Sequence, residues 1–269
     1  MNLTKILTAV LFAASLFLAY RLYRSVQGTI EERELITSTE AAIIEKLKLI
    51  REAEIVFHSV NGRYTANWDS LTNFIQYGQV PIVQRREVIT QKSYGVEDVQ
   101  VFVDTLGFVA AKERIFKKNY TVNASDNGIF MGFKIKLGDQ VIKNQKAYSI
   151  KVGEKVNEPP FQDQGIVTKL EPVRVGDELK KGQSLISLSE FIFDPNTDLT
   201  TLGNVPGKGG LKFDIFAGHV DKSGLKVDVI EVKDPKPVNP NRKESNDAKN
   251  RKPLHFGSRF DVSTAGNWE

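Results

Sequence analysis

The 269-residue sequence contains no cysteine. A disulfide framework, a thiol nucleophile and a cysteine-ligated zinc site are thereby excluded. Histidine is scarce, and His58, His219 and His255 stand far apart, so no histidine-rich metal site is expected. Long uncharged runs are scarce too. Only residues 6–20 form one that is also predominantly apolar, which excludes a polytopic membrane protein. With 41% hydrophobic and 26% charged residues, wholesale disorder is excluded as well. The length suits one large domain or two small ones.

Acidic residues are missing from the first 24 positions. Residues 1–24 carry Lys5, Arg21 and Arg24 without an acid, and residues 235–253 carry a net +4. Between them, Ser25 to Asp234 sums to −2, although the whole chain is +4. The basic balance belongs to the ends and not to a binding face, so no nucleic acid is expected as a partner.

The run ILTAVLFAASLFLAY, extended to Leu3–Tyr23, spans about 31 Å as a helix, which matches a hydrocarbon core of about 30 Å. Lys5 and Arg21 can snorkel, and Tyr20 and Tyr23 suit the interface. No small-x-small site follows, so an uncleaved signal-anchor over residues 1–24 is expected in place of a cleaved signal peptide. Lys5 and the amino terminus balance Arg21 and Arg24, so charge leaves the orientation open.

Residues 25–87 read as a helical stalk and a second short helix. Ile36, Ile43, Leu47, Ile50 and Phe57 recur at heptad-like intervals, with Glu40 and Glu54 at intervening seam positions. Two readings follow: a helix packing its own core, or an assembly helix. Thr37 with Glu40 forms a capping box, which suggests a restart there. Asn61-Gly62 supplies a left-handed stop. Trp68, Leu71, Phe74 and Ile75 then place a short amphipathic helix near Asn67. An apolar helix, an amphipathic helix, a Gly-x-Tyr turn and a Trp-x-x-Leu helix together resemble the N-terminal half of type IV pilins and pseudopilins, over residues 1–80. The Gly-Phe processing site and the early glutamate of that family are absent, so processing and glutamate-set registration do not carry over. What the resemblance implies is an envelope assembly with the bulk of the chain in the periplasm.

From Val88 to residue 233 the pattern becomes β-rich, with Gly-Asp, Asn-Gly and Lys-Ser-Gly turns. Residues 105–118 are ambiguous between strand and helix. Residues 135–150 (IKLGDQVIKNQKAYSI) and 173–188 (VRVGDELKKGQSLISL) align at an offset of 38, sharing Gly138/Gly176, Asp139/Asp177, Lys143/Lys181, Gln145/Gln183 and Ser149/Ser187. An internal duplication and two similar turns both fit. The second stretch resembles the biotinyl/lipoyl-type barrel and related periplasmic adaptor proteins. A carrier would need lysine in the hairpin after this strand. Ser189-Glu190-Phe191 follows here, so no cofactor is expected.

Residues 212–232 form a strand pair around Lys222-Ser223-Gly224. With the IREAE run, the Gly-x-Tyr-Thr-x-x-Trp turn and the terminal DVSTAGNWE, this resembles single-pass Bacteroidota envelope proteins. Residues 234–253 have almost no hydrophobic residue and read as a flexible linker. The tail 254–269 regains Phe256, Phe260, Val262 and Trp268, and either docks on its own domain or reaches a partner.

Two motifs carry chemistry weakly. Gly203–Lys208 is one residue short of a phosphate loop, and Gly209 stands where Ser or Thr is required. Asp194, Asn196 and Asp198 space oxygen ligands as the start of a calcium loop does, but Leu199 and Val205 occupy its glycine and glutamate positions. An Asx-rich turn is the better account of them.

The expected fold class is α+β: an N-terminal transmembrane helix and a long amphipathic helix, then a mostly antiparallel β domain. The expected function is that of a non-enzymatic, single-pass, inner-membrane structural subunit of a bacterial envelope assembly. An adaptor-like transport component is the alternative. Protein partners or self-assembly would run through Ile36, Ile43, Leu47, Ile50, Phe57 and Trp268.

Overall fold

The computed structural model describes residues 3–92, 96–238 and 253–269, with side chains at 10–87, 100–238 and 253–269. In chain order the elements are α1 (Leu3–Asn61), α2 (Trp68–Tyr77), β1 (Gln79–Lys92), β2 (Val96–Ala110), α3 (Ala111–Phe116), β3 (Lys117–Asn123), β4 (Gly128–Phe133), β5 (Gln140–Val141), β6 (Tyr148–Val152), β7 (Lys155–Asn157), β8 (Gly165–Leu170), β9 (Glu178–Leu179), β10 (Ser184–Phe191), β11 (Asp214–Lys222), β12 (Leu225–Lys233) and β13 (His255–Gly257). The class is α+β with antiparallel sheets. The chain divides into two units: Met1–Glu54, Arg63–Trp68 and Thr200–Glu269, and Ile55–Gly62 with Asp69–Leu199.

The expected transmembrane helix is corrected here. Among the described residues, no helix is long and apolar enough to cross a membrane. The restart at Thr37 is also corrected. Helix α1 is unbroken, and the Thr37 hydroxyl donates back to the Arg33 carbonyl at 2.9 Å instead of capping. The stop at Asn61-Gly62 is as expected: Gly62 has φ +68°, and its N–H reaches the His58 carbonyl at 2.8 Å.

In the first unit, every described α1 side chain from Val10 to Leu35 is exposed, whereas Ile43, Leu47, Leu49, Ile50 and Ala53 are buried. The Lys46 ammonium donates to the Thr201 carbonyl at 2.5 Å, which ties that buried stretch to the loop after the second unit's last strand. β11, β12 and β13 form an antiparallel sheet with Val229, Ile230, Val232 and Phe256 buried. The tail therefore adds a strand to its own chain. Most of the expected linker, residues 239–252, lies outside the described residues.

In the second unit, two four-stranded sheets, β3-β10-β8-β5 and β7-β6-β4-β9, form a sandwich. Its core contains Phe130, Tyr148, Ile150, Phe161, Ile186 and Leu188. The offset of 38 maps β3 to β7, β4 to β8, β5 to β9 and β6 to β10. Applied as an exchange, it turns one sheet order into the other. Local geometry agrees. Asp139 accepts the Lys136 N–H at 2.8 Å, and Asp177 accepts that of Arg174 at 2.8 Å. Gln145 accepts the Ile142 N–H at 3.2 Å, and Gln183 accepts that of Lys180 at 3.1 Å. Buried Val141, Ala147, Tyr148 and Ile150 answer to buried Leu179, Leu185, Ile186 and Leu188. The two stretches are therefore one structural unit used twice.

One position shows the physical requirement alone. Gly182 has φ +85°, and its counterpart Asn144 has φ +69°. Asparagine is among the few residues that tolerate this region. Gly182→Asn is expected to stay within about 1 kcal/mol of the parent, and Gly182→Val to cost about 2 kcal/mol or more. Urea unfolding of both variants checks this, and equal losses would contradict it.

Candidate functional site

The sequence-marked positions separate. Ile43, Leu47 and Ile50 are fully buried, so this part of the seam packs the first unit's own core. Ile36 is half-buried. Phe57 meets Phe74 edge-on, with ring centroids 5.1 Å apart. Trp68 packs against the backbone at Gly203, where an added Cβ would come within 2.9 Å of the indole. Trp268 is half-buried. The Arg51 guanidinium stands 5.9 Å from its ring centre and pairs with the terminal Glu269 carboxylate at 2.5 Å.

The weak motifs resolve into local structure. Asp194 Oδ1 accepts the Asn196 N–H at 2.9 Å, and the Asp194 carbonyl accepts the Thr197 hydroxyl at 2.7 Å. This is an Asx turn. Among the described residues, no cluster of His, Asp or Glu is arranged to hold a metal. Lys208, the lysine of the would-be phosphate loop, is paired with fully buried Asp234. The hairpin between β6 and β7 turns on Gly153-Glu154, and Lys151 and Lys155 flank the tip without occupying it. The tail encloses a polar hollow of about 300 Å³ lined by His255, Ser258, Asp261, Ser263 and Asn267.

One buried acid escaped the sequence reading, which placed it only as a seam position. Glu54 is fully buried in the last buried stretch of α1, and its Oε2 accepts the Thr65 N–H at 3.1 Å. Its Oε1 has no partner among the described residues. Burial pushes the carboxyl up to about 8, against the smaller opposing effect of the Thr65 bond. Burial also raises the Tyr64 phenol, with the charges of Glu54 and Asp228 adding to it. The arrangement joins the helix to the chain that follows it.

The larger surface feature is the β1–β2 ribbon, a two-stranded sheet with no third strand among the described residues. Strands of 14 and 15 residues pair antiparallel, with a bulge between Ile82 and Val83 that accommodates Leu106. Paired residues share a face. Val83/Thr105, Arg85/Val103 and Glu87/Val101 lie on one face, and Pro81/Phe108 returns to it beyond the bulge. Gln84/Asp104 and Arg86/Phe102 lie on the other, where Arg86 and Asp104 form an ion pair. That second face turns toward the sandwich at the ribbon's root. Ile82 and Val109 line a hollow of about 750 Å³ with Glu113, Tyr120 and Leu188. On the first face Val83, Val101, Val103 and Phe108, with the bulge residue Leu106, are between 44% and 65% exposed, and on the second Ile82 and Phe102 are 49% and 48% exposed. The sequence signal was the alternation in VQVFVDT, which marked a strand and not which of its faces would stay uncovered.

No family model and no curated protein matches the chain. Among solved structures, it is similar to the urea carboxylase of Kluyveromyces lactis, at 17% identity and a TM-score of 0.25. The likeness covers 26% of this chain and 6% of that one, and is too slight to bear on fold or activity.

Glu54 gives a signed expectation. Its folded value of about 8 exceeds the ordinary 4.5, so the folded state holds a proton that the unfolded state loses between them. Stability contributed by the protonated form therefore falls as pH rises from about 4.5 to about 8, and levels off above. Glu54→Gln keeps the acceptor for Thr65 and removes the ionisation. Its urea midpoint relative to the parent should climb across that window, by an amount worth several kcal/mol at most. Parallel midpoint curves from pH 5 to 8 would rule out this role for Glu54.

Proposed function

We propose that the protein is a non-catalytic structural subunit of a larger assembly, and that the open face of the β1–β2 ribbon is a principal contact surface. The observation that carries this reading is the uncovered apolar stripe Val83, Val101, Val103, Leu106 and Phe108 on a ribbon whose strands leave both outer edges unpaired among the described residues. An isolated two-stranded ribbon is marginal in water, and a contiguous apolar patch of several hundred Å² marks an interaction site. Further support comes from the titratable groups. Glu54 and Asp234 are buried in structural contacts, and the Asp194 turn caps itself. An adaptor-like component would carry a helical pair inserted in the β domain. Here a β ribbon precedes the sandwich, and the β6–β7 connection is a two-residue turn. The envelope setting is supported by the sequence resemblances alone.

Val103→Glu and Phe108→Glu place charge on the exposed stripe without touching the core. Both are expected to leave the thermal midpoint within a few degrees of the parent. Both are expected to shift the protein, in native gels of extracts from cells that make it, from a large complex to a smaller species. Unchanged migration of both variants would sink the proposal.

A further inference from the structure

We infer that the open ribbon face is a homotypic interface, covered by the same face of a second copy around a two-fold axis. The inference rests on the structural-subunit reading and names its partner. Three observations select a second copy over a partner of other chemistry.

The described part of the face carries its own complement. Arg85 and Glu87 are its only charged residues among those described, and both are exposed. They sit two positions apart on β1, opposite Val103 and Val101 respectively. A two-fold axis between them sets Arg85 of each copy against Glu87 of the other. This is the i-to-j, j-to-i contact that an isologous interface requires.

The shape is self-complementary as well. Two such ribbons laid face to face make a small four-stranded sandwich, with the two layers about 10 Å apart and the apolar side chains interleaved. Each ribbon then obtains the second layer that it lacks.

The area is sufficient. The five apolar side chains expose roughly 500 Å² per copy, so an interface covering all five in both copies would bury about 1,000 Å², at the threshold for a specific interface. The opposite face offers a smaller apolar surface, Ile82 and Phe102, each about half exposed. It carries the Arg86–Asp104 ion pair and turns toward the sandwich at its root.

The absence of cysteine makes the test clean, because any introduced thiol reports only its own position. Val101→Cys and Val103→Cys in the full chain should give a covalent dimer with a bis-maleimide crosslinker long enough to span the gap of about 10 Å between the layers. Gln84→Cys, on the other face, should remain at least tenfold less crosslinked. In the Val101→Cys background, Arg85→Glu should reduce the crosslinked fraction about tenfold by opposing two acids across the axis. Adding Glu87→Arg should restore it to within about threefold. No crosslink at either valine, equal crosslinking at Gln84, or failure of the double charge reversal to restore it would each overturn the inference. These outcomes separate from the broader reading. Loss of the native complex in Val103→Glu without a valine crosslink leaves a structural subunit whose ribbon meets a different protein. A valine crosslink with an unaffected complex leaves the homotypic contact and removes the ribbon from the larger assembly.

Discussion

The second unit depends on an exchange of strands between its two repeats. The first repeat supplies β3 and β5 to one sheet and β4 and β6 to the other, and the second supplies β8 and β10, and β7 and β9. Neither repeat owns a complete sheet. The central neighbours β10 and β8 are flanked by β3 and β5, and β6 and β4 by β7 and β9. Each repeat therefore satisfies the edges of the other, and the buried set from Phe130 to Leu188 forms only when both are in place. The two Gly-Asp turns follow from this requirement. Gly138 and Gly176, at φ +88° and +100°, bend the chain between sheets, and the next aspartate closes the bend on a backbone N–H.

The sandwich closes on itself, and the ribbon before it does not. The same chain covers Tyr148 completely, with the Ser125 N–H donating to its hydroxyl at 2.8 Å, yet leaves Phe108 and Leu106 largely in solvent. At the ribbon's root the two regimes meet: Val80 is buried, and Phe108, on the opposite face one pair away, is exposed. The alternation of a strand makes this possible, since a single residue step changes which layer a side chain faces. A chain can thus carry a fully satisfied domain and an unsatisfied surface a few residues apart.

Much of this was legible locally and little of it globally. The helix stop at Gly62, the α2 pattern of Trp68, Leu71 and Ile75, and the paired Gly-Asp turns all follow from short-range chemistry that the residues state directly. The exchange of strands was not legible, because pairing β3 with β10 joins residues about 65 positions apart. Only the register reveals it. β1 was missed for a different reason. Pro81, Arg85, Arg86 and Glu87 dilute its apolar pattern, and proline is tolerated there because the strand lies on a sheet edge. At α1, charge-free composition suggested a membrane span. Among the described residues, no helix is long and apolar enough to cross one. The heptad-like seam was real as a pattern, but Ile43, Leu47 and Ile50 bury against their own unit, and periodicity cannot tell an internal partner from an external one. Glu54 was visible only as an interruption of that seam. Its bond to Thr65 depends on a turn of the chain that the spacing does not encode.

Strand exchange also sets a schedule for synthesis. The first repeat leaves the ribosome about 38 residues ahead of the strands that complete its sheets. At about 5–20 residues per second that is roughly two to eight seconds. During this interval Phe130, Tyr148 and Ile150 belong to no finished layer. The nascent chain must hold them apart from its neighbours on the same message until the second copy of the pattern arrives.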